Sequence, residues 1–315
     1  MRSMSDIVVQ EGRASSAETS LVERLALSGL RRSSQLLQPV YFKGYGRIAS
    51  VLRRVAPERH IALQLDADSR FRFPFADAYW SRLLARSVVY EPEMVTLFQV
   101  IRDQDFGFVD CGANFGYWSV LVSGQAFGAH AAIAIEASGR NAAELRANAA
   151  INQNRFEVVH AAVAETDGGM VTLDGPTHEG LAIVDATQTG PDAETVCCVS
   201  LDGLMTRSPW FAQRRRLVLK LDVEGVEEAA LRGAGEMLKR ETLLVYEEQG
   251  ADAEHRNTRF VSGALGMPVF VYDGSRFREA PDPLAAMRGL KTNRRRGYNV
   301  LATASPEWLA LLRRA

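Results

Sequence analysis

The chain has 315 residues, 47% hydrophobic and 24% charged, a balance that excludes a disordered or fibrous protein and predicts a globular core. Its 37 basic and 38 acidic side chains give a formal net charge of -1, so nothing global argues for nucleic acid. Three cysteines, Cys111, Cys197 and Cys198, cannot supply a disulfide framework and point to a reducing cytoplasm. No signal peptide is expected, and no apolar run approaches the roughly 20 residues that span a bilayer.

In chain order, residues 1–20 are polar and small and are expected to fray. Residues 21–60 carry Arg24, Arg31, Arg32, Lys43 and Arg47 among other cations, against only Glu23 and Glu58, with Leu21, Leu25, Leu36 and Val51 interleaved at helical spacing. That pattern predicts short basic amphipathic helices. They read as a helical cap on the main domain, with peripheral contact to an anionic membrane, glycan or carrier as the alternative. Residues 61–73 predict a hairpin with a polar turn from Asp66 to Ser69. Residues 1–85 are therefore set apart as a basic helical and hairpin extension, and residues 86–315 as the main domain. From residue 106 onward, apolar runs alternate with helical stretches. Strands are expected at 106–109, 131–135, 156–164, 217–221 and 243–246, helices at 117–125, 141–148 and 227–239, and closing strands at 268–272 and 298–303. Alternation of this kind predicts an α/β fold of parallel βαβ units, with a sheet covered on both faces. Residues 165–216 break the alternation and are expected to hold a hairpin or loops beside the site.

The most informative segment runs from Phe108 to Tyr117, where a strand ends on Asp110 and a loop with Gly112, Asn114 and Gly116 opens a helix. A dinucleotide fingerprint would read G-x-G-x-x-G, but this loop is D-x-G-x-N-x-G. A pyrophosphate would be repelled by the carboxylate, whereas AdoMet brings an ammonium and a sulfonium that an Asp can suit. Glycine at 112 and 116 lets the backbone approach a ligand. Glu136 ends the next strand, where a carboxylate can accept both ribose hydroxyls. Tyr117, at the helix start, and Ala162, in the third strand, complete the expected cofactor set.

These segments resemble the FkbM family of methyltransferases. The resemblance rests on Asp110-Cys-Gly112-Ala113-Asn114-Phe-Gly116-Tyr117, on Glu136 followed by Asn141, and on Leu145, Asn148 and Asn152. It continues in Lys220-Leu-Asp222-Val-Glu224-Gly225-Val-Glu227, in Leu231-Arg-Gly-Ala234 and in Tyr90-Glu91-Pro92-Glu93, and covers roughly residues 88–303. It implies a seven-stranded Rossmann-like methyltransferase sheet whose last strand is antiparallel, and methyl transfer from S-adenosyl-L-methionine, often to a sugar or polyketide hydroxyl.

Asp222 and Glu224 follow the fourth strand and should face the ligand crevice, where a carboxylate can take a hydroxyl proton or hold an acceptor. The pair could instead ligate a divalent ion, although no histidine lies beside them. Glu227 reads better as a helix-start acid. Lys220, within the strand, needs an acidic partner or a sheet edge. His178 is a further base candidate that reads better as a surface loop histidine. Of Glu247 and Glu248, at most one can face the crevice. Cys111 reads as a packing residue and Arg294–Arg296 as a solvated loop. The expected activity is O-methylation of a sugar, glycan or secondary metabolite, without a metal and without nucleic acid. The alternatives are a methyltransferase acting on RNA or protein, or a non-catalytic protein that keeps the fold.

Overall fold

The β-branched run at residues 7–9 is a strand in the computed structural model, which describes residues 6–10, 13–14, 19–175, 177–178, 180, 182–184, 190 and 193–314. Fraying is therefore not the state of residues 6–10; residues 1–5, 11–12 and 15–18 of that expectation lie outside the described residues. The first strand, β1 (Ile7–Gln10), pairs with β2 (Arg13–Ala14) and runs parallel to β3 (His60–Gln64), which turns into β4 (Arg70–Pro74). The turn is the polar one expected, with Asp66 Oδ1 accepting from the backbone N–H of Asp68 at 3.0 Å and of Ser69 at 2.9 Å.

Two helices separate β2 from β3. In α1 (Leu21–Leu37) a capping box starts the helix: Glu23 N donates to Ser20 Oγ and Ser20 N to Glu23 Oε2. The helix buries Ala26, Leu27, Leu30 and Ser34. The shorter α2 (Tyr45–Arg53) buries Tyr45 and Ala49.

The main sheet follows α3 (Pro92–Ile101) and begins with β5 (Gly107–Cys111), α4 (Tyr117–Val122), β6 (Ala132–Glu136), α5 (Gly139–Ile151) and β7 (Phe156–His160). The expected long third strand breaks at Ala161. Its continuation, β8 (Ala162–Val163), joins β9 (Met170–Asp174), β10 (Ala182–Val184) and β11 (Glu194–Val199) in a small sheet ordered β10-β9-β11-β8. After α6 (Leu201–Arg207), β12 (Arg216–Leu221) returns to the main sheet. The helix expected over 227–239 is two pieces, α7 (Glu227–Arg232) and α8 (Gly235–Leu238). Gly233 passes so near the residues that follow β8 that a Cβ on it would stand 2.4 Å from Ala164 O. Remaining elements are β13 (Glu241–Gln249), α9 (Arg256–Arg259), β14 (Val269–Tyr272), β15 (Phe277–Glu279), α10 (Pro283–Leu290), β16 (Gly297–Ala302) and α11 (Pro306–Leu312).

The order is β15-β14-β16-β13-β12-β5-β6-β7, with β13, β12, β5, β6 and β7 mutually parallel and β16, the last strand, antiparallel to β13 and β14. This is the expected sheet, with the three-residue β15 added at its edge. Alternation sends Phe108, Ala134, Val218 and Val245 to a core shared with α3, α4, α5, α11 and the N-terminal sheet. Their neighbours Val109, Ile135, Leu219 and Tyr246 pack under α6, α7, α8 and α10. Asp110 lies opposite Lys220 in the β5–β12 register. The loops leaving both strands therefore open into one crevice at the carboxyl edge of the sheet.

Candidate active site

The loop after β5 is shaped by close approach. Gly112 has φ +75°, and a Cβ there would lie 1.8 Å from Asp222 O. Gly116, φ +87°, would bring a Cβ to 2.4 Å from Leu145 Cδ1. A Cβ at Gly112 would collide with backbone and one at Gly116 would have to push Leu145 aside, and the positive φ at both strains any residue but glycine. Between them Asn114 takes φ +51°. Its amide is fully occupied, with Oδ1 accepting from Trp80 Nε1 at 3.1 Å and Nδ2 donating to His178 O at 2.9 Å.

Glu136 is 7% exposed and its two oxygens accept from Asn114 N and Ser138 N, each at 2.8 Å. Burial raises its pKa, while these N–H donors oppose the rise. Asp110 accepts from Ser119 Oγ through Oδ2 at 2.7 Å, but its buried Oδ1 has no hydrogen-bond partner. Asn141 is in the same position: Nδ2 donates to His178 O at 2.8 Å and the buried Oδ1 has none. Asp110, Gly112, Asn114, Tyr117, Glu136, Asn141 and Ala162 all line one cavity, which Gly116 shapes from behind. Two unpartnered acceptors in such a wall fit a ligand that brings donors.

Beside Asp110, on the neighbouring strand, Lys220, 3% exposed, donates to Asp222 Oδ2 at 2.9 Å. Burial works against its charge, but Asp222, Asp110 and Glu91 together raise its pKa. The buried lysine has thus found the acidic partner it requires. Glu224 follows at an exposed position with φ +49°. Glu227 is buried, with Oε1 accepting from Gly225 N at 3.2 Å and Oε2 from Asn257 Nδ2 at 3.2 Å, in keeping with a helix-start acid. Glu247 reaches the cavity, while Glu248 points to the opposite face and binds Thr258 Oγ1 at 2.6 Å. The Glu247 carboxyl has no hydrogen-bond or ion-pair partner among the described residues. Burial first, then the Asp222, Glu91 and Glu224 carboxylates, push its pKa well up.

His178 is not a surface loop residue. Nε2 meets Asp77 Oδ2 at 3.0 Å, Nδ1 meets Asn114 Nδ2 at 3.3 Å, and the ring stacks on Phe115 with centroids 4.6 Å apart. Asp77 in turn accepts from Tyr79 N and Trp80 N. Burial raises the Asp77 pKa, but His178 and these N–H groups lower it further, for a net fall. Cys111 is buried and its thiol pushed up by that burial, as a packing residue should be. Arg294, Arg295 and Arg296 are exposed.

Sequence reasoning named Tyr117 for the site but missed the aromatic wall it belongs to. Tyr79, Trp80, Tyr90 and Tyr117 form an aromatic cluster, with Trp80 stacked on Tyr117 at 5.7 Å and Tyr79 Oη 3.1 Å from Tyr90 Oη. Glu91 stands beside it at φ +44°, accepting from Trp118 Nε1. Burial lifts its pKa to about 7, with Lys220 opposing and Asp222 and Glu93 adding to the rise. The only available signal was the Tyr90-Glu91-Pro92 sequence, where a proline at the helix start fixes the acid just before it. In all, Glu91, Asp110, Glu136, Asp222, Glu224 and Glu247 line the cavity, and Lys220 is the only lysine or arginine among the described lining residues. No group of three or more His, Cys, Asp or Glu suited to holding a metal occurs among the described residues.

Comparison with known proteins gives the same picture. A family model described as the methyltransferase FkbM domain matches residues 110–280, more than half of the chain. No curated protein matches in sequence. Among solved structures, a methyltransferase FkbM from Methylobacillus flagellatus is 15% identical, with TM-score 0.39, over 63% of this chain and 43% of its own. The chain thus spans less than half the length of that protein. A precorrin-6y C5,15-methyltransferase from Geobacter metallireducens is 15% identical, with TM-score 0.40, over 70% of this chain and 92% of its own.

Proposed function

Because the chain belongs to the FkbM methyltransferase family, we propose that it transfers a methyl group from AdoMet to a hydroxyl oxygen of a sugar, glycan or secondary metabolite. Asp110, Gly112, Asn114, Gly116, Tyr117, Glu136 and Ala162 hold the cofactor in this reading. The unpartnered Asp110 Oδ1 and Asn141 Oδ1 fit it, because AdoMet carries ammonium, hydroxyl and amino donors. When bound, AdoMet supplies a methyl carbon activated by its sulfonium.

The oxygen acceptor is carried by one observation: Glu247, a cavity-lining carboxyl with no hydrogen-bond or ion-pair partner among the described residues, is buried among other carboxylates, and burial first, then those carboxylates, raise its proton affinity. A hydroxyl loses its proton as its oxygen attacks, and Glu247 takes that proton. Asp222, fixed by Lys220, orients the acceptor, with Glu224 at the rim. His178, with both ring nitrogens engaged, positions Asn114 and Asn141 rather than moving a proton. Six carboxylates against one lysine oppose a phosphate backbone, and the aromatic wall suits the apolar faces of a ring. Both favour a neutral acceptor over RNA. The three cysteines are free thiols, which suits a reducing cytoplasm.

Incubation of the full chain with methyl-labelled AdoMet and a panel of neutral glycans, alcohols, RNA and peptides tests this reading. It requires label in an alkali-stable ether of a neutral hydroxyl compound. Label confined to RNA or peptide overturns it.

A further inference from the structure

Helices α1 and α2 leave an unusually apolar surface open. Leu21, Val22, Leu25, Leu36, Tyr41 and Val51 are between 59% and 77% exposed. On α1 the open Leu21, Leu25, Arg32 and Leu36 form one stripe, opposite the buried Ala26, Leu27, Leu30 and Ser34. On α2 a second stripe, Ile48, Val51 and the following Val55, is flanked by Arg47 and Arg54. The charge around these stripes has one sign. Arg24, Arg32, Lys43, Arg47, Arg53 and Arg54 are exposed, and none of them meets a carboxylate among the described residues. The acids of the region are Glu58, exposed, and Glu23, buried against Arg59 at 3.0 Å.

A second copy of the chain would set this cationic surface against itself. A nucleic acid would satisfy the arginines and leave the leucines and valines in water. An anionic bilayer satisfies both, with apolar side chains entering the headgroup boundary and cations meeting lipid phosphates. No described helix is long and apolar enough to cross a membrane, so such contact is peripheral. We propose that α1 and α2 dock this protein on an anionic lipid surface. The dock is tied to the cavity: Ser34 Oγ donates to Arg82 O at 2.8 Å, in the turn that carries Trp80 into the cavity wall. Docking thereby fixes how the cavity faces the bilayer. This inference stands independently of the acceptor's identity.

Cosedimentation of the full chain with phosphatidylcholine vesicles, with and without phosphatidylglycerol, is the test. Binding is expected only when phosphatidylglycerol is present, and it should weaken as salt rises. The triple variants Leu21→Ser/Leu25→Ser/Leu36→Ser and Arg24→Glu/Arg32→Glu/Arg47→Glu should each bind at least about tenfold more weakly. Their melting temperatures and S-adenosylhomocysteine affinity should match the parent chain. Three results overturn the proposal: no binding, or equal binding, to the two vesicle types; unchanged binding by either folded variant; or a dimer in solution that only the leucine variant dissociates, which would assign the surface to self-association.

Discussion

Glu247 and Glu248 are neighbours in β13 with opposite surroundings, because a strand sends successive side chains to opposite faces. Glu248 is saturated by Thr258 and Lys291, and Glu247 is left to the cavity. Replacing Glu247 with Gln keeps the shape and removes the base. Turnover should fall by about 10²–10⁴-fold with AdoMet affinity little changed. In the parent chain activity should rise with pH as the raised Glu247 carboxyl deprotonates, and the Gln variant should lose that rise. A rate within twofold of the parent would place the base elsewhere. Gly297 supplies an independent check, since a Cβ there would lie 1.5 Å from Glu247 Oε1. The overlap continues to Cδ at 2.1 Å and Cγ at 2.8 Å, so Gly297→Ala should displace the whole Glu247 side chain and, in variant protein that circular dichroism shows to be folded, reproduce much of the Gln phenotype. A Gly297→Ala variant with full turnover would show that this position of the carboxyl is unimportant. That at most one of the two glutamates faces the cavity, though not which one, was legible in the sequence from alternation. The Asp77–His178 contact was not, because it joins residues 101 apart through a loop with no periodic signal.

At the scale of elements, the most instructive contact joins α5 to β4. Asn148 accepts from Arg72 N at 2.6 Å and donates to Arg72 O at 2.8 Å; Asn152 does the same with Arg70, at 2.9 and 2.7 Å. Two amide side chains one helical turn apart thus act as a strand edge for the N-terminal hairpin. Asn148 also donates to Phe115 O at 3.0 Å, which ties that hairpin to the cofactor loop. Asn148→Ala would leave these backbone groups without their partner and should cost about 2–4 kcal/mol of stability. Chemical denaturation measures this directly, and a loss under about 0.5 kcal/mol, the scale of an ordinary surface change, would deny the asparagine its bridging role. The resemblance marked Asn148 and Asn152 but gave no reason for them; the reason lies in β4, far away in sequence. Parallel strands and the helices between them were legible because buried strands read as apolar runs. The break at Gly233 was not, because the close approach there is to Ala164 and Glu165, distant in sequence.

For the whole molecule, the dominant fact is that acidic side chains are gathered in one cavity. Glu91, Asp110, Glu136 and Glu247 all have raised pKa values, burial being the first cause in each. A carboxyl whose folded pKa is raised binds more protons folded than unfolded. Its contribution therefore turns unfavourable as pH rises, for Glu91 from the ordinary glutamate value of 4.5 to about 7. The melting temperature of the free chain should fall between pH 5 and pH 8. Glu91→Gln, which keeps an acceptor for Trp118, should raise it at pH 8 and leave it unchanged at pH 5. An equal effect at both pH values would contradict the linkage. A cationic ligand is the natural occupant of such a cavity, and calorimetric titration of AdoMet into the full chain tests that most directly. We expect saturable binding at a single site. In folded Glu136→Ala it should weaken by about 10–100-fold, as the loss of charge-assisted hydrogen bonds worth roughly 1.5–3 kcal/mol requires. Absence of any binding heat with folded protein, confirmed at a second temperature, would contradict the account.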